Sequence, residues 1–183
     1  MCRCLAALVL LLATPLWPQD PGPPPPATNA RFGFSYKVLY GWVDRTAAMR
    51  ADDPSKGQVL LAAFEHPPEV TSDSVNSAVI IAAESATSYP GLKSAVDYFG
   101  PLTELTGSKG FTVVNQPYMF TVGSRQLPRA DYSKPIGKLT IYQSSLAMLS
   151  KGYVVSFTFI ASSEDEADRL IESLTLSPIK SVH

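Results

Sequence analysis

The residues of this chain that could do chemistry are few, and none of them forms a complete catalytic or metal-binding set. His66 is the only internal histidine of the 183 residues, with Glu65 beside it and Glu69 nearby. One histidine and loosely spaced carboxylates fall short of the usual zinc or copper ligand sets, and a serine-histidine-acid arrangement would also need His66. The sequence therefore predicts a loop histidine in a chain that is not an enzyme and uses no metal or cofactor.

Three other segments match known ligand sites only in part. Residues 106–110, Thr-Gly-Ser-Lys-Gly, look like a phosphate loop, but the residue order is wrong and the segment follows a helical pattern instead of opening a helix. Ser177 and Lys180 have the spacing of some acyl-enzyme hydrolases, yet they lie in the tail. The acids within 164–168 would point in different directions on a helix, which favours surface acids over a calcium site.

A second group of residues could bind a ligand without chemistry. Arg125, Arg129 and Asp131 share one face of a predicted strand because their spacing is even. Two arginines on one face could grip a carboxylate or a phosphate group. The alternative is a solvated strand face whose charges protect it against edge pairing.

Aromatic residues supply the remaining candidate binding positions. Tyr40 and Trp42 follow the first predicted strand, where an amphipathic ring can stack on a ligand or close one end of the core. Tyr118 lies in a later strand. A small amphipathic molecule held between a helix and the sheet would lie near Trp42 and Tyr118.

A strand followed by a helix, from Gly152 to Leu176, organises the rest of the predicted fold. Residues 153–161 are β-branched and aromatic, and the apolar residues Ala167, Leu170, Ile171 and Leu174 recur at helical spacing. Ser163 stands three residues before Glu166, the pattern of a capping box. We therefore expect a helix that starts after Ser163.

The other elements are predicted from the same patterns. The segments 59–64 and 77–83 are apolar without alternation, as in strands covered on both faces. A helical stripe runs from Gly91 to about Thr106 and is interrupted at Gly100-Pro101, where we expect a kink or two short helices. Alternating strands follow at 111–115, 118–122, 125–132 and 138–149. These elements predict an α+β fold, an antiparallel β-sheet sandwiched between helices on both faces.

The N-terminal region predicts an extracytoplasmic protein, either secreted or periplasmic. Residues 1–19 combine Arg3 with a short apolar run and are predicted as a signal peptide, with a retained anchor as the alternative. Residues 20–31 are a Pro-rich linker, residues 32–178 a single domain, and residues 179–183 a tail. The run is too short to span a bilayer comfortably, so we expect no membrane insertion after cleavage.

Composition excludes several classes of function. The formal net charge is −1, and no basic run supplies the counterion release on which nucleic-acid binding depends. The two cysteines, Cys2 and Cys4, precede the apolar run and leave with the signal. The mature chain would then have no disulfide, catalytic thiolate or cysteine-bound metal.

The order of elements and three local matches resemble the PsbP-like superfamily, which includes the Ran-binding Mog-type proteins and DcrB-type envelope proteins. The matches are Phe34-Ser35-Tyr36 with Gly41-Trp42, Gly123-Ser124-Arg125 running into Arg129 to Tyr132, and the strand from Gly152 to Val155 with its acid-capped helix. The resemblance implies an antiparallel sheet between helical layers. It also implies a role in binding proteins or assembling complexes, because most members do no chemistry.

The sequence therefore predicts a non-catalytic binding or assembly module that recognises a protein of the cell envelope. Two alternatives from other classes stay open. One is a carrier or sensor of a small amphipathic ligand, which would need a deep apolar pocket. The other is a carboxylate-dependent hydrolase, which would need two facing buried acids.

Overall fold

The structure, a computed structural model, describes residues 25–50, 57–70 and 73–177, and a seven-stranded antiparallel sheet forms its centre. The strands lie in the order β3-β4-β5-β9-β8-β7-β6. Their bounds are β3 Val43–Asp44, β4 Gln58–Phe64, β5 Ala78–Ser85, β6 Thr112–Val122, β7 Arg125–Ile136, β8 Leu139–Ser150 and β9 Tyr153–Ala161. Gly123 (φ +60) lies in the turn between β6 and β7, and Gly152 (φ +79) lies in the turn between β8 and β9.

The edge strand β6 differs from its prediction. The sequence predicts two strands, 111–115 and 118–122. The structure has one strand whose register against β7 shifts on both sides of Asn115. Proline lacks the N–H that a central strand must donate, but an edge strand with bulges tolerates it. Pro117 therefore lies within the strand and does not end it.

Three short strands form a separate small sheet in the order β1-β2-β10. They are β1 Ala27–Asn29, β2 Phe34–Tyr36 and β10 Leu174–Leu176. Strand β1 lies within residues 20–31, which the sequence predicts as a linker. The linker prediction is therefore wrong for residues 27–29. Thr28 and Ser35 hydroxyls lie 3.2 Å apart across this added strand pair. The predicted signal, residues 1–19, and the tail, residues 179–183, lie outside the described residues.

The C-terminal helix α2, Glu164–Glu172, starts where the sequence predicts. Ser163 Oγ accepts a hydrogen bond from the backbone N–H of Glu166 over 3.2 Å. The Glu166 carboxylate reaches back by one residue more than in a capping box and accepts from the N–H and the hydroxyl of Ser162. It also accepts from Ser77 Oγ over 2.6 Å, which ties the start of α2 to the residue preceding β5.

Glu166 gives the fold a testable dependence on pH. Partial burial opposes its ionisation, but the hydrogen bonds from Ser162 and Ser77 outweigh burial and lower the pKa of Glu166 from its ordinary value of 4.5. A carboxylate with a lowered pKa stabilises the fold above its ordinary pKa, and this stabilisation is lost as the pH falls. We expect Glu166→Gln to lower the melting temperature most above about pH 5, and the difference from the natural chain to shrink toward about pH 3.

The matched control is Glu164→Gln, which removes an acid from the same helical turn without touching Ser77 or Ser162. Its melting temperature should follow that of the natural chain closely at every pH. A Glu166→Gln difference that stays constant between about pH 3 and 7 would contradict the assignment.

The first helix is shorter than predicted. Helix α1 spans Phe99–Ser108, while the predicted N-terminal part from Gly91 onward forms turns. The reason is Pro101, which lies in the first turn of α1, where no intrahelical N–H donor is needed. Proline therefore lies near the start of this helix and does not kink a longer one. A short 3-10 helix, Ala86–Ser88, precedes these turns.

Side chains from the two faces of the central sheet form separate cores. On one face, α2 and the small sheet cover Leu146, Val155, Phe157 and Phe159. On the other face, Tyr98 and Phe99 at the start of α1 pack on Ala130, Tyr132, Ala147 and Val154. Helices thus lie on both sides of an antiparallel sheet, and the α+β prediction is confirmed. No helix in the described residues is long and apolar enough to cross a membrane.

Candidate functional site

The structure separates the six predicted binding residues into three places. Tyr118 of β6 joins Arg129 and Asp131 of β7 in one cluster. Tyr40 and Trp42 lie in the turn between β2 and β3, where Tyr40 is 69% exposed. Arg125 is half-buried at the first position of β7. The predicted pair of arginines is therefore divided between two environments.

The most deeply buried charges belong to Arg129 and Asp131, which are 4% and 5% exposed. Arg129 Nε donates a hydrogen bond to Asp131 Oδ1 over 2.7 Å, and Arg129 Nη2 donates to Ser144 Oγ over 3.0 Å. Arg129 Nη1 lies 2.6 Å from Asp168 Oδ1 on α2. One guanidinium group thus connects β7 and β8 with the C-terminal helix.

Asp131 is held by polar groups from three strands. Its Oδ1 accepts from Ser144 Oγ over 2.6 Å as well as from Arg129. Its Oδ2 accepts from Asn115 Nδ2 over 3.1 Å and from the Tyr118 hydroxyl over 3.0 Å. Within the described residues no buried side-chain nitrogen or oxygen atom lacks a hydrogen-bond partner, so the cluster is fully paired.

Two aromatic rings of β6 complete the surroundings of Arg129. The guanidinium carbon lies 4.7 Å from the ring centre of Phe120 and 5.8 Å from that of Tyr118, within range of cation–π attraction. Burial, together with the nearby charge of Asp131, raises the pKa of the Tyr118 phenol to about 12. Burial opposes the charge of Arg129, but Asp131 and Asp168 raise its pKa above the ordinary value. Arg129 therefore stays charged and Tyr118 neutral at physiological pH.

This arrangement stabilises the fold and leaves Arg129 little capacity for an outside ligand. An external carboxylate or phosphate would have to displace Asp131 or Asp168 from the guanidinium group. The alternative of a solvated strand face is wrong for Arg129 and Asp131, because both are buried. That Arg125 and Arg129 bind an anion together stays a prediction, and the contacts of Arg129 do not favour it.

Two clefts lie on opposite sides of α2. The first, which we name the α2–β6 cleft, has a volume of about 430 Å³ and is lined by Phe120, Thr121, Val122, Gly123, Asp168, Ile171, Glu172 and Leu174. The second, the Trp42 cleft, measures about 290 Å³ and is lined by Leu39, Trp42, Glu65, Glu166, Arg169 and Leu170. Trp42 lines the second cleft and Tyr118 lines neither, so these two clefts do not unite the predicted ligand-binding residues.

The free edge of the sheet exposes large apolar side chains. Among the described residues, strand β6 pairs with β7 alone. Val114, Tyr118 and Met119 on this strand are 40%, 38% and 53% exposed. Met119 also lines a groove of about 280 Å³, which we name the β6–β8 groove, together with Val96, Pro128, Ala147, Leu149 and other residues. The apolar edge therefore has a groove beside it, and Phe120 of the same strand lines the α2–β6 cleft.

A second polar cluster was not predicted from the sequence. The hydroxyl groups of Tyr89 and Tyr98 both donate to the carboxylate of Glu84, the latter over 3.2 Å. Burial raises the pKa of Tyr98 to about 12, with the charge of Glu84 as the next cause. Burial and the hydrogen bond to Glu84 also raise the pKa of Tyr89. This cluster links β5 to the turns before α1.

His66 lies in a loop with few polar contacts of its side chain. Its Nε2 atom is 3.9 Å from a Glu65 carboxylate oxygen, and its backbone N–H donates to Asn76 Oδ1 over 2.9 Å. In the part of the chain that the structure describes, no three His, Cys, Asp or Glu side chains come together as metal ligands would. Glu69 instead accepts from Arg45 over 2.5 Å.

Comparison with known proteins gives a likeness of fold. No protein-family model matches the chain, and no curated protein sequence does. The solution structure of cyanobacterial PsbP (CyanoP) from Synechocystis sp. PCC 6803 is similar with a TM-score of 0.52 at 15% identity, covering 82% of this chain and 90% of that one. LpqN, involved in cell envelope biogenesis of Mycobacterium tuberculosis, matches with a TM-score of 0.43 at 15% identity, covering 84% of this chain and 90% of that one. The chain therefore has a PsbP-like fold, as the sequence resemblance implies.

Proposed function

We propose that this chain is a non-catalytic binding module that recognises a protein partner outside the cytoplasm through the exposed edge of its central sheet. The observation that carries the proposal is the edge strand β6, which has one open side among the described residues and on which Val114, Tyr118 and Met119 are each more than a third exposed. Large apolar side chains exposed at the edge of a sheet are typical of interaction sites. An exposed edge strand also offers backbone groups to an incoming chain.

The polar clusters support a binding role over a catalytic one. Arg129 and Asp131 are paired with each other and with neighbouring side chains, and the carboxylate of Glu84 is occupied by two tyrosines. Asp131 and Asp168 both contact Arg129. A hydrolase that uses two carboxylates needs them facing each other across a substrate, one of them with a displaced pKa. The proposed location outside the cytoplasm is based on the predicted signal peptide of residues 1–19.

The test is site-specific photo-crosslinking in cells that naturally make the full chain. A photo-reactive amino acid in place of Met119 should give one discrete adduct, because Met119 is the most exposed of the apolar β6 residues. The control position is Ile136, which is 48% exposed at the far end of β7. We expect the Met119 adduct to disappear when excess unlabelled mature chain competes for the partner.

Two results would contradict the proposal. Equal adducts from Met119 and Ile136 would indicate unspecific contact with neighbouring proteins. Absence of a competed adduct from Met119, with the chain folded and present in normal amount, would show that the β6 edge contacts no protein partner.

A second candidate function is the carriage of a small amphipathic molecule. The volume of the α2–β6 cleft, about 430 Å³, falls within the range of small-molecule sites, and its lining is partly apolar. Native mass spectrometry of the mature chain, before and after denaturation, separates the two functions. A stoichiometric small molecule released on unfolding would favour the carrier.

A further inference from the structure

On the basis of the proposed function, we infer that the α2–β6 cleft receives a lysine or arginine side chain of the protein partner. Phe120 and Val122 of the edge strand β6 form part of the wall of this cleft. A side chain from a partner seated on the β6 edge could therefore enter it. The charges and apolar groups of the lining decide which side chain fits.

The lining contains two acids and no base. Asp168 and Glu172 stand four residues apart on α2, on the same side of the helix. Asp168 Oδ1 contacts Arg129, while its side chain remains 53% exposed. Within the described residues the Glu172 side chain has neither a hydrogen bond nor an ion pair. The cleft thus offers one free carboxylate and one that is satisfied on a single oxygen.

The end of the helix strengthens this negative field. Glu172 is the last residue of α2, where the carbonyl groups give the helix the negative end of its dipole. An acid at this end is unfavourable unless a cation lies close to it. Arg169, the base of the last turn, lines the Trp42 cleft on the other side of the helix. The carboxylate of Glu172 can therefore pair with a cation of another molecule.

The apolar part of the lining favours a cation on a hydrocarbon stem. Phe120, Val122, Ile171 and Leu174 line the cleft together with the two acids. Lysine and arginine bury their methylene groups against such surface while the charged head stays with polar partners. A bare metal ion would gain nothing from these four residues. The geometry therefore matches a basic side chain better than an ion.

The inference can be tested without knowing the partner. The probes are N-acetyl-lysine methylamide and its neutral counterpart N-acetyl-norleucine methylamide, titrated separately into isotope-labelled mature chain and followed by NMR amide shifts. We expect the lysine probe to shift amides of residues 120–123 and 168–174, and the norleucine probe to bind more weakly. Glu172→Gln should weaken lysine binding by about three- to fivefold, the scale of one exposed ion pair.

The matched control is Glu164→Gln, which changes the net charge equally at the other end of α2. This variant should bind the lysine probe as the natural chain does. Equal binding of both probes, or equal weakening by both variants, would overturn the inference. If the lysine probe fails while the Met119 adduct persists, the proposed function stands and this cleft is not part of it. If the probe binds but the adduct is absent, a basic segment of a protein is the wrong occupant.

Discussion

Replacing Arg129 by alanine is expected to lower the free energy of unfolding by about 3–5 kcal/mol. The reason is that Asp131, only 5% exposed, would lose the charge that neutralises it and stay buried with neutral partners. Removal of one member of a buried ion pair is far more destabilising than absence of the whole pair. The contact of Arg129 with Asp168 would be lost as well, which weakens the attachment of α2 to the sheet. Urea unfolding followed by circular dichroism measures the change.

Two further variants show whether the charge itself is the cause. Arg45→Ala removes an arginine from the exposed pair with Glu69 and should change stability by no more than about 1 kcal/mol. The double variant Arg129→Met with Asp131→Leu removes both buried charges and should be more stable than Arg129→Met alone. If the double variant is the less stable of the two, the loss arises from packing and the buried-charge explanation is wrong.

The Arg129 cluster also marks the limit of what the sequence can predict. Even spacing placed Arg129 and Asp131 on one face of a strand, because alternation is a property of the local backbone. Their partner Asp168 lies on another element, and its position on α2 looked like that of a surface acid. The sequence did not reveal this contact, since it depends on how α2 lies across the sheet.

In the secondary structure, too, the sequence predicts what depends on adjacent residues and misses what depends on distant ones. The start of α2 was predicted because the cap residue Ser163 and the acids that follow it are adjacent in the chain. The start of α1 was misplaced, since its apolar spacing continues back to Leu92 through residues that form turns. Those side chains pack on the core around Tyr98 without being helical. Apolar spacing records burial, and burial alone does not fix the backbone conformation.

Membership of β2 in the small sheet also escaped prediction. Phe34 and Tyr36 are buried while Ser35 between them is not, as in a strand with one buried face. The pattern contains no information about the neighbouring strand. The strand pairs with β10, which lies more than a hundred residues away in the chain, and its Phe34 ring packs on Phe157 of the central sheet.

The ring contact between Phe34 and Phe157 is the second place where a large effect is expected. Phe157 lies at the centre of β9, is fully buried, and is paired with Ile81 on one side and Leu146 on the other. Its ring centre is 5.6 Å from that of Phe34, with the planes at 86°. We expect Phe157→Ala to lower the free energy of unfolding by about 3–5 kcal/mol, because a cavity opens in the core and this ring contact is lost. Ile136→Ala, an exposed apolar truncation, should change it by about 0.5 kcal/mol or less.

A double-mutant cycle separates the ring contact from the general loss of packing. Phe157→Leu keeps an apolar side chain, so this variant should stay folded even if Phe157→Ala does not. Combined with Phe34→Leu in urea unfolding, it measures how strongly the small sheet is coupled to the central sheet. Edge-to-face aromatic pairs contribute about 0.5–1.5 kcal/mol beyond their buried area, and we expect a coupling of this size. Additive effects would mean that the rings stabilise their own sheets only, and that α2 and β10 hold the small sheet in place without them.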